Sequence, residues 1–322
     1  ERISMALLAM AIRDQGVEAV SLTGSQAGII TNMVHGRAEI EEVRAFRVKE
    51  HLDKGDVVIV AGFQGVSGVG KEITTLGRGG SDATAVAMAH YLQADACEIY
   101  TDVDGVFTAD PRLEPGARKL AEISFDEMAE LAGAGAQVLM VRSVELGRRL
   151  GVPLHVRSSF HDGPGTWVRE EVAGPARVVG VAHDPTQALV GAAGETSAGA
   201  VADALQAAGV TGAVAGTGPA GVGAAVPRDQ AAAALAALAA AGRTGAVTLD
   251  EGVGKVSVVG AALRERTGAA EAAARLLREA GIEVRLTAAG PQRISCVVPE
   301  ALVDDAVRLW HRTMLAPSPQ EA

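Results

Sequence analysis

The chain has 322 residues, a formal net charge of −10, 48% hydrophobic residues and only 3% aromatic ones. Its length allows about two domains with cores of small side chains, and its acidic balance argues against nucleic acid or an anionic membrane as a main partner. Cys97 and Cys296 are its two cysteines, too few and too far apart for a disulfide framework, and neither an apolar run of membrane-spanning length nor a basic n-region with a short apolar core occurs, so a cytoplasmic enzyme is the expectation.

In chain order, "ERIS" at Glu1 stands inside a helical pattern, and "TGSQAG" lies at Thr23 to Gly28. "VVIVAGFQG", from Val57 to Gly65, reads as a strand buried on both faces that ends in a Gly-Phe-Gln-Gly turn. The next stretch, "TTLGRGGSDATAVAMAHYLQA", is the most informative one. Gly77, Gly79 and Gly80 allow positive φ and a close approach of backbone N–H groups to an anion, and Ser81 and Asp82 stand where a helix should start. Val86, Ala89 and Leu92 share one helical face, so the positive end of that helix points at the loop. Arg78, mid-loop, suits bidentate contact with a carboxylate better than a lysine would. A plain turn capped by Ser81 is the simpler reading of the loop taken alone.

"ACEIY", from Ala96 to Tyr100, reads as a second buried strand, followed at once by Thr101, Asp102 and Asp104. In open α/β sheets ligands bind beyond the carboxyl ends of the strands, and an aspartate at a buried strand end, as expected for Asp102, needs a partner or ligand. Asp104-Gly105 and Asp110-Pro111 also read as turns. Ser124 and Glu127 form an S-x-x-E capping box for a helix ending near Gly133. A further helix spans Gln137 to about Leu150 and stops at Gly151, a C′ glycine. "PLHVRSS" from Pro153 returns as a strand with His155 turned toward solvent or an interface, and "HDGPGTWV" is a turn with Trp167 packed at the domain edge.

Taken together, "ERIS", "TGSQAG", "GFQG", "TLGRGGSD", "YTDVDGVFTADPR" and the later "RSVE" resemble the aspartate kinases of the bacterial, actinobacterial type, over residues 1 to about 160. The resemblance implies an α/β protein: a three-layer α/β/α amino-acid kinase domain at 1–172, whose product would be 4-phospho-L-aspartate from ATP and L-aspartate. Carried over residue by residue, it makes Glu1 a contact for the substrate amino group, Arg78 the clamp on the α-carboxylate and Phe63 a wall of the substrate pocket. Gly79, Gly80, Ser81 and Asp82 would hold the substrate, with Arg78 and Asp82 as the catalytic pair. Thr101, Asp102, Phe107, Arg112 and Gln137 would fall in the ATP-binding segments. ATP with Mg²⁺ is the implied cofactor, the metal bridging phosphates with no dedicated protein ligand set. Transfer to a carboxylate needs no strong base, because the nucleophile is already ionised, so positioning and charge neutralisation carry the catalysis.

Two departures stand out. The family's N-terminal strand and "KxGGSS"-type loop, whose lysine meets the phosphates, does not occur in these residues, so the kinase domain is expected to be N-terminally incomplete here. At "GAGAQVLMVRSVE" the family usually carries a lysine against ATP where this chain has Gln137, and a neutral amide cannot neutralise phosphate charge. An impaired paralogue serving as a binding or regulatory subunit, or a related kinase for another carboxylate, are the alternatives.

Beyond about residue 175, alanine dominates and two similar halves appear. Each reads as strand, helix, glycine stop (Gly209, Gly281), strand, strand and helix, a repeat of roughly 70 residues with βαββαβ order. The Ala-rich tract from Ala231 to Ala241 is a helix former. These halves look like the paired ACT regulatory domains of the family, 173–250 and 251–322, two ferredoxin-like units. The resemblance implies a homo-oligomer formed through them and lysine or threonine as effector. "GETSAG" and "AVAGTG", around Thr217, depart from the family's polar effector contacts, so feedback inhibition is expected to be weakened.

Overall fold

The computed structural model describes every residue except 173, 175, 176, 193–196, 242–246, 265, 266 and 316–322. It divides into two compact units: Glu1–Gly105 with Ala121–Phe125 and Val138–Val172, and Val106–Leu120 with Asp126–Gln137 and the remainder from Ala173. The boundary expected at 172/173 is thus crossed by two upstream stretches that group with the C-terminal half.

The first unit runs α1 (Arg2–Asp14), β1 (Ala19–Leu22), β2 (Ile29–Thr31), β3 (Ile40–Val43), α2 (Phe46–Asp53), β4 (Val57–Val60), β5 (Gln64–Ser67), β6 (Ile73–Thr75), α3 (Gly80–Leu92), β7 (Cys97–Thr101) and β8 (Glu122–Ser124). Helix α4 (Phe125–Ala134) starts here and continues in the second unit, and α5 (Val141–Leu150), β9 (Leu154–Ser158) and β10 (Thr166–Arg169) complete the first. Strands β1 and β4 pair in parallel, Ala19 opposite Val57 through Leu22 opposite Val60. A second sheet has the order β7-β9-β10-β8, and a third, β3-β2-β5-β6, makes a separate four-stranded layer.

Helix α3 buries Gly80, Ala83, Thr84, Val86, Ala87, Met88 and Ala89, more than the single face its spacing predicts. Alanine and glycine let neighbours approach from several sides, so a helix with little amphipathic contrast still becomes core. Met88 joins Leu22, Ala27, Ile29, Ala45 and Val48 in one buried cluster. Strands β4 and β7 are not buried on both faces: Val57 and Tyr100 are exposed. Helix α5 starts at Val141, four residues later than expected, and ends on Gly151 at φ 67°. His155 is buried rather than solvent-facing; it stacks on Trp167 with ring centroids 4.0 Å apart, and its Nδ1 lies 3.0 Å from Glu98 Oε1. Trp167 belongs to β10, not to the preceding turn.

The second unit is built on β11 (Gly180–Ala192), α6 (Ala198–Ala207), β12 (Val214–Gly218), β13 (Gly221–Pro227), α7 (Ala231–Ala240), β14 (Val247–Val259), α8 (Ala269–Glu279), β15 (Leu286–Ala289), β16 (Arg293–Pro299) and α9 (Val303–Met314). The strands close in the order β11-β13-β12-β15-β16-β14. The repeat is real, and the two halves share strands: β14 pairs with β11 along both halves of its length, and only its C-terminal half pairs with β16. The expected boundary at 250/251 therefore falls inside one continuous strand. Gly209 at φ 74° and Gly281 at φ 79° end α6 and α8 equivalently, as glycines past a helix end do.

Barrel closure explains part of the unusual "AVAGTG". Strand β12 meets β15 at a single pair, Thr217 opposite Thr287. A Cβ on Gly216 would run into the Thr287 carbonyl and one on Gly218 into that of Arg285. Glycine is thus imposed there by strand approach. Of "GETSAG", residues 194–196 lie outside the described residues; Ser197 caps α6, its side chain accepting from the Ala200 amide.

Candidate active site

The glycine loop joins β6 to α3. Gly77 at φ 79° and Gly79 at φ 70° take the left-handed conformation, and Gly79 is the N-cap of α3. Gly80 does not; it is helical, and glycine is needed there because a Cβ would lie 2.9 Å from Leu76 Cβ and 3.1 Å from Phe63 Cδ2. Ser81 is not the cap either. With Asp82 it occupies the first turn, where backbone N–H groups lack intrahelical acceptors and the helix end is positive. Arg78 stands exposed on the loop, with no hydrogen-bond or ion-pair partner among the described residues. Asp82 is half-buried, and burial pushes its carboxyl above the ordinary aspartate range.

Side chains distant in sequence hold this loop in shape. Arg142 donates to the carbonyls of Leu76 at 2.7 Å and Ala38 at 2.6 Å, Ser143 Oγ donates to that of Gly79 at 3.3 Å, and Met140 packs on Gly79. Thr84 Oγ1 accepts from the Phe63 amide at 3.2 Å and donates to the Gly80 carbonyl at 2.8 Å. That bond fixes Phe63 in a left-handed conformation, φ 65°, with its ring 41% exposed. Positive φ in a bulky residue is costly and clusters at functional sites.

Glu1 comes to the same place. Its carboxylate accepts from Ser81 Oγ, and a Cβ on Gly62 would lie 3.3 Å from Glu1 Oε2 and 3.1 Å from Ser81 Cα. Arg2 donates to Gln64 Oε1 at 3.0 Å, linking "ERIS" to the Gly-Phe-Gln-Gly segment, in which Gln64 and Gly65 begin β5 instead of forming only a turn. A cleft of about 590 Å³ opens beside Glu1, Gly62, Ser81 and Thr84. Glu1 meets Ser81 and Phe63 meets Gly80, with Arg78, Gly79 and Asp82 their neighbours in the chain, all within one unit. The cleft is lined mostly by apolar residues, among them Met5, Leu8, Val58, Val60 and Met88, and Arg78 is not part of its lining; what the loop itself offers an anion is the exposed Arg78 guanidinium next to a positive helix end.

The second group of expected residues divides between the units. Thr101 ends β7 and its hydroxyl donates to Asp102 Oδ1 at 3.1 Å. Asp102 is exposed, so the argument from a buried strand end does not apply to it. Phe107, Arg112 and Gln137 belong to the second unit. There, Val106–Leu120 folds back on itself: Phe107 bridges Lys119 and the Leu120 amide donates to Val106 O. Arg112 is held by Asp110, Nη2 to Oδ2 at 2.7 Å, and the guanidinium holds the Asp110 carboxyl below its usual range. Gln137 is exposed just past α4.

Sequence reasoning missed the props of the loop: Met140, Arg142, Ser143 and Thr84. "RSVE" at Arg142 carries the one sequence signal, as part of the family resemblance, and gives no role to Arg142 or Ser143. An arginine following an apolar residue at a helix start, next to a serine, gives no hint in one sequence that both face a carbonyl row elsewhere.

Residues 1–158 match the family model described as amino acid kinase family, and residues 256–314 one described as ACT domain. The chain is 44% identical to the aspartokinase of Mycolicibacterium smegmatis, over 97% of this chain and 78% of that protein. It is 42% identical to that of Corynebacterium glutamicum, again over 97% and 78%. Among solved structures it is similar to Escherichia coli aspartokinase III in complex with aspartate and ADP (R-state), with TM-score 0.80, 27% identity and coverage of 98% of this chain and 74% of that one. It is also similar to the same enzyme in complex with lysine and aspartate (T-state), with TM-score 0.76, 26% identity and coverage of 98% and 73%.

Proposed function

Because the chain belongs to the aspartokinase family, a kinase family acting on aspartate, we propose that the convergent group around the glycine loop is its aspartate site and that ATP is the phosphoryl donor. Glu1 faces the substrate ammonium, Arg78 grips the α-carboxylate through its planar fork, and Phe63 closes one wall. The β-carboxylate is then directed at the first turn of α3, where Ser81 and Asp82 stand. The observation that carries this reading is the meeting of Glu1, Gly62 and Ser81, residues from three separate segments, at the N-terminus of the helix that Arg78 precedes. An impaired binding subunit or a kinase for another carboxylate is not favoured, since the relatives at 42–44% identity are aspartokinases.

By the resemblance, Thr101, Asp102, Phe107, Arg112 and Gln137 are the proposed nucleotide contacts. The residue types fit a nucleotide in part: a hydroxyl for ribose or phosphate, an aromatic ring and one exposed guanidinium, with Gln137 adding no charge. Magnesium takes most of its ligands from phosphates and water, so no dedicated set of protein ligands is proposed for it. When bound, it supplies neutralisation of phosphate charge. The protein's own part is positioning: reactants held in line gain most of the rate through prepaid entropy and a preorganised field.

Gln137 makes this testable. In a full-length protein, Gln137→Lys should tighten nucleotide binding by roughly three- to tenfold, because one exposed cation at a phosphate is worth about 1 kcal/mol. Calorimetric titration with ADP and with a non-hydrolysable ATP analogue reads it, and unchanged or weaker affinity removes Gln137 from the nucleotide site.

We further propose that inhibition by lysine plus threonine is weakened in this chain, since Gly216 and Gly218 leave no polar side chains on β12 beside Thr217. Initial rates with low-millimolar lysine plus threonine should fall less than about twofold, well short of the five- to 150-fold effects of ordinary coupling. Strong inhibition at those concentrations overturns this.

A further inference from the structure

Within the second unit, the stretch Val106–Leu120 carries Phe107 and Arg112, two of the proposed nucleotide contacts, yet it has no core of its own. It is tied to its surroundings at specific points. The Val181 amide of β11 donates to Thr108 O at 2.8 Å. Ala109 and Ala117 pack into the hydrophobic cluster of this unit, and several hydrogen bonds lead to α9 and the residue after it. Arg308 Nε donates to Leu113 O at 3.0 Å, Arg312 Nε lies 3.2 Å from Glu114 Oε2, and Arg118 Nη2 donates to Leu315 O at 3.1 Å.

A further tie is buried on both sides. Thr108 Oγ1 and His311 Nε2 share a hydrogen at 2.8 Å, with Thr108 2% and His311 6% exposed. The same hydroxyl accepts from the Arg118 amide at 2.9 Å, across the turn that contains Arg112. Thr108 is adjacent to Phe107 and closes the stretch through Thr108 N to Arg118 O at 2.9 Å. Arg312 is exposed although its partner Glu114 is buried, whereas Thr108 and His311 are buried on both sides, and a buried, satisfied pair fixes one geometry because breaking it leaves a polar atom dry. Burial also pushes the His311 imidazole below its ordinary pKa, which favours the neutral ring.

We propose that His311, in the last turn of α9, is a positioning residue for nucleotide binding: through Thr108 it sets the backbone that presents Phe107 and Arg112. This rests on the assignment of Arg112 to the nucleotide made above. It gives the C-terminal helix of the regulatory half a direct part in the affinity for nucleotide, separate from any effector.

The test is steady-state kinetics on the full chain, with ATP and aspartate varied separately. His311→Ala should raise KM for ATP about fivefold or more, the effect of losing one buried hydrogen bond, while KM for aspartate stays within twofold. His311→Gln, whose amide can reach the Thr108 hydroxyl, should restore most of the loss. Thr108→Val should reproduce the alanine effect, and the double variant should be no worse than either single one. If His311→Ala does not fold, Thr108→Val decides alone. The proposal is overturned if folded variants keep KM for ATP within twofold, or if KM for aspartate rises in step with it. Arg112→Ala separates the two layers: if it raises KM for ATP while the Thr108 and His311 variants do not, the positioning role fails and the nucleotide site stands. If Arg112→Ala itself is silent, the nucleotide assignment fails.

Discussion

Replacing Arg78 by alanine is expected to lower kcat/KM for aspartate about 10²- to 10³-fold, the largest effect of any single substitution in the site. The guanidinium is exposed and free of partners among the described residues, so nothing in the protein has to be rearranged before it meets a carboxylate. A bidentate, charge-assisted pair is worth about 3–4 kcal/mol once water is excluded. Because the α-carboxylate does not change charge during phosphoryl transfer, the interaction is nearly equal in ground and transition states, and the loss should appear chiefly in KM. Arg78→Lys keeps the charge but not the fork and should recover only part of it, to within about tenfold of the parent. Initial rates over a range of aspartate at saturating ATP read both variants. An alanine variant within threefold of the parent removes Arg78 from the site.

The second large effect should come from Gly79→Ala. At φ 70° the new side chain is strained wherever it points, and its Cβ would lie 2.6 Å from Met140 Cγ and 2.7 Å from Met140 Cβ. The conformational term costs about 1 kcal/mol and overpacking adds about 1–3 kcal/mol. Since Gly79 caps α3 and its carbonyl accepts from Ser143, relief by movement shifts the N-terminus proposed to hold the substrate. Thermal denaturation should show a lower Tm by several degrees, and KM for aspartate should rise at least tenfold. Adding Met140→Ala should return the overpacking part and leave the conformational part. Full activity and stability in the single variant would show that the loop does not need its observed shape.

Much of this fold was legible because local signals agreed with the tertiary outcome. Glycines past α5, α6 and α8 marked helix ends where a left-handed residue was needed, and the Ala-rich tract became α7 as its propensity requires. The near-repeat of about 70 residues announced two equivalent runs, expected as βαββαβ; among the described residues each is βαββα, β11-α6-β12-β13-α7 and β14-α8-β15-β16-α9, without a sixth strand of its own. What one sequence could not show is sharing between elements. Strands β11 and β14 each serve both halves of the barrel, so a boundary drawn by period cuts through β14. His155 looked like an outward position by alternation, and its ring instead found Trp167 and Glu98. A polar side chain can be buried whenever partners satisfy it, and those partners are remote in sequence.

Part of the proposed site could be named in the sequence for the same reason. Glu1, Phe63 and the loop from Arg78 to Asp82 were identified by residue type and resemblance, and the structure brings them together in one unit. The roles of individual atoms were not visible: Gly80 serves close packing and not positive φ, Gly79 and not Ser81 is the cap, and Asp102 is exposed. Arg142, Ser143 and Thr84 act on main-chain carbonyls and amides, groups every residue carries, so no pattern of side chains pointed to them.

A structure of the full-length protein with L-aspartate and a non-hydrolysable ATP analogue tests the central claim most directly. The expected result is aspartate beside the glycine loop, its α-carboxylate within hydrogen-bond distance of Arg78, its ammonium at Glu1 and its β-carboxylate at the first turn of α3. Aspartate bound elsewhere at saturating concentration, or Arg78 turned away from it, would contradict the account.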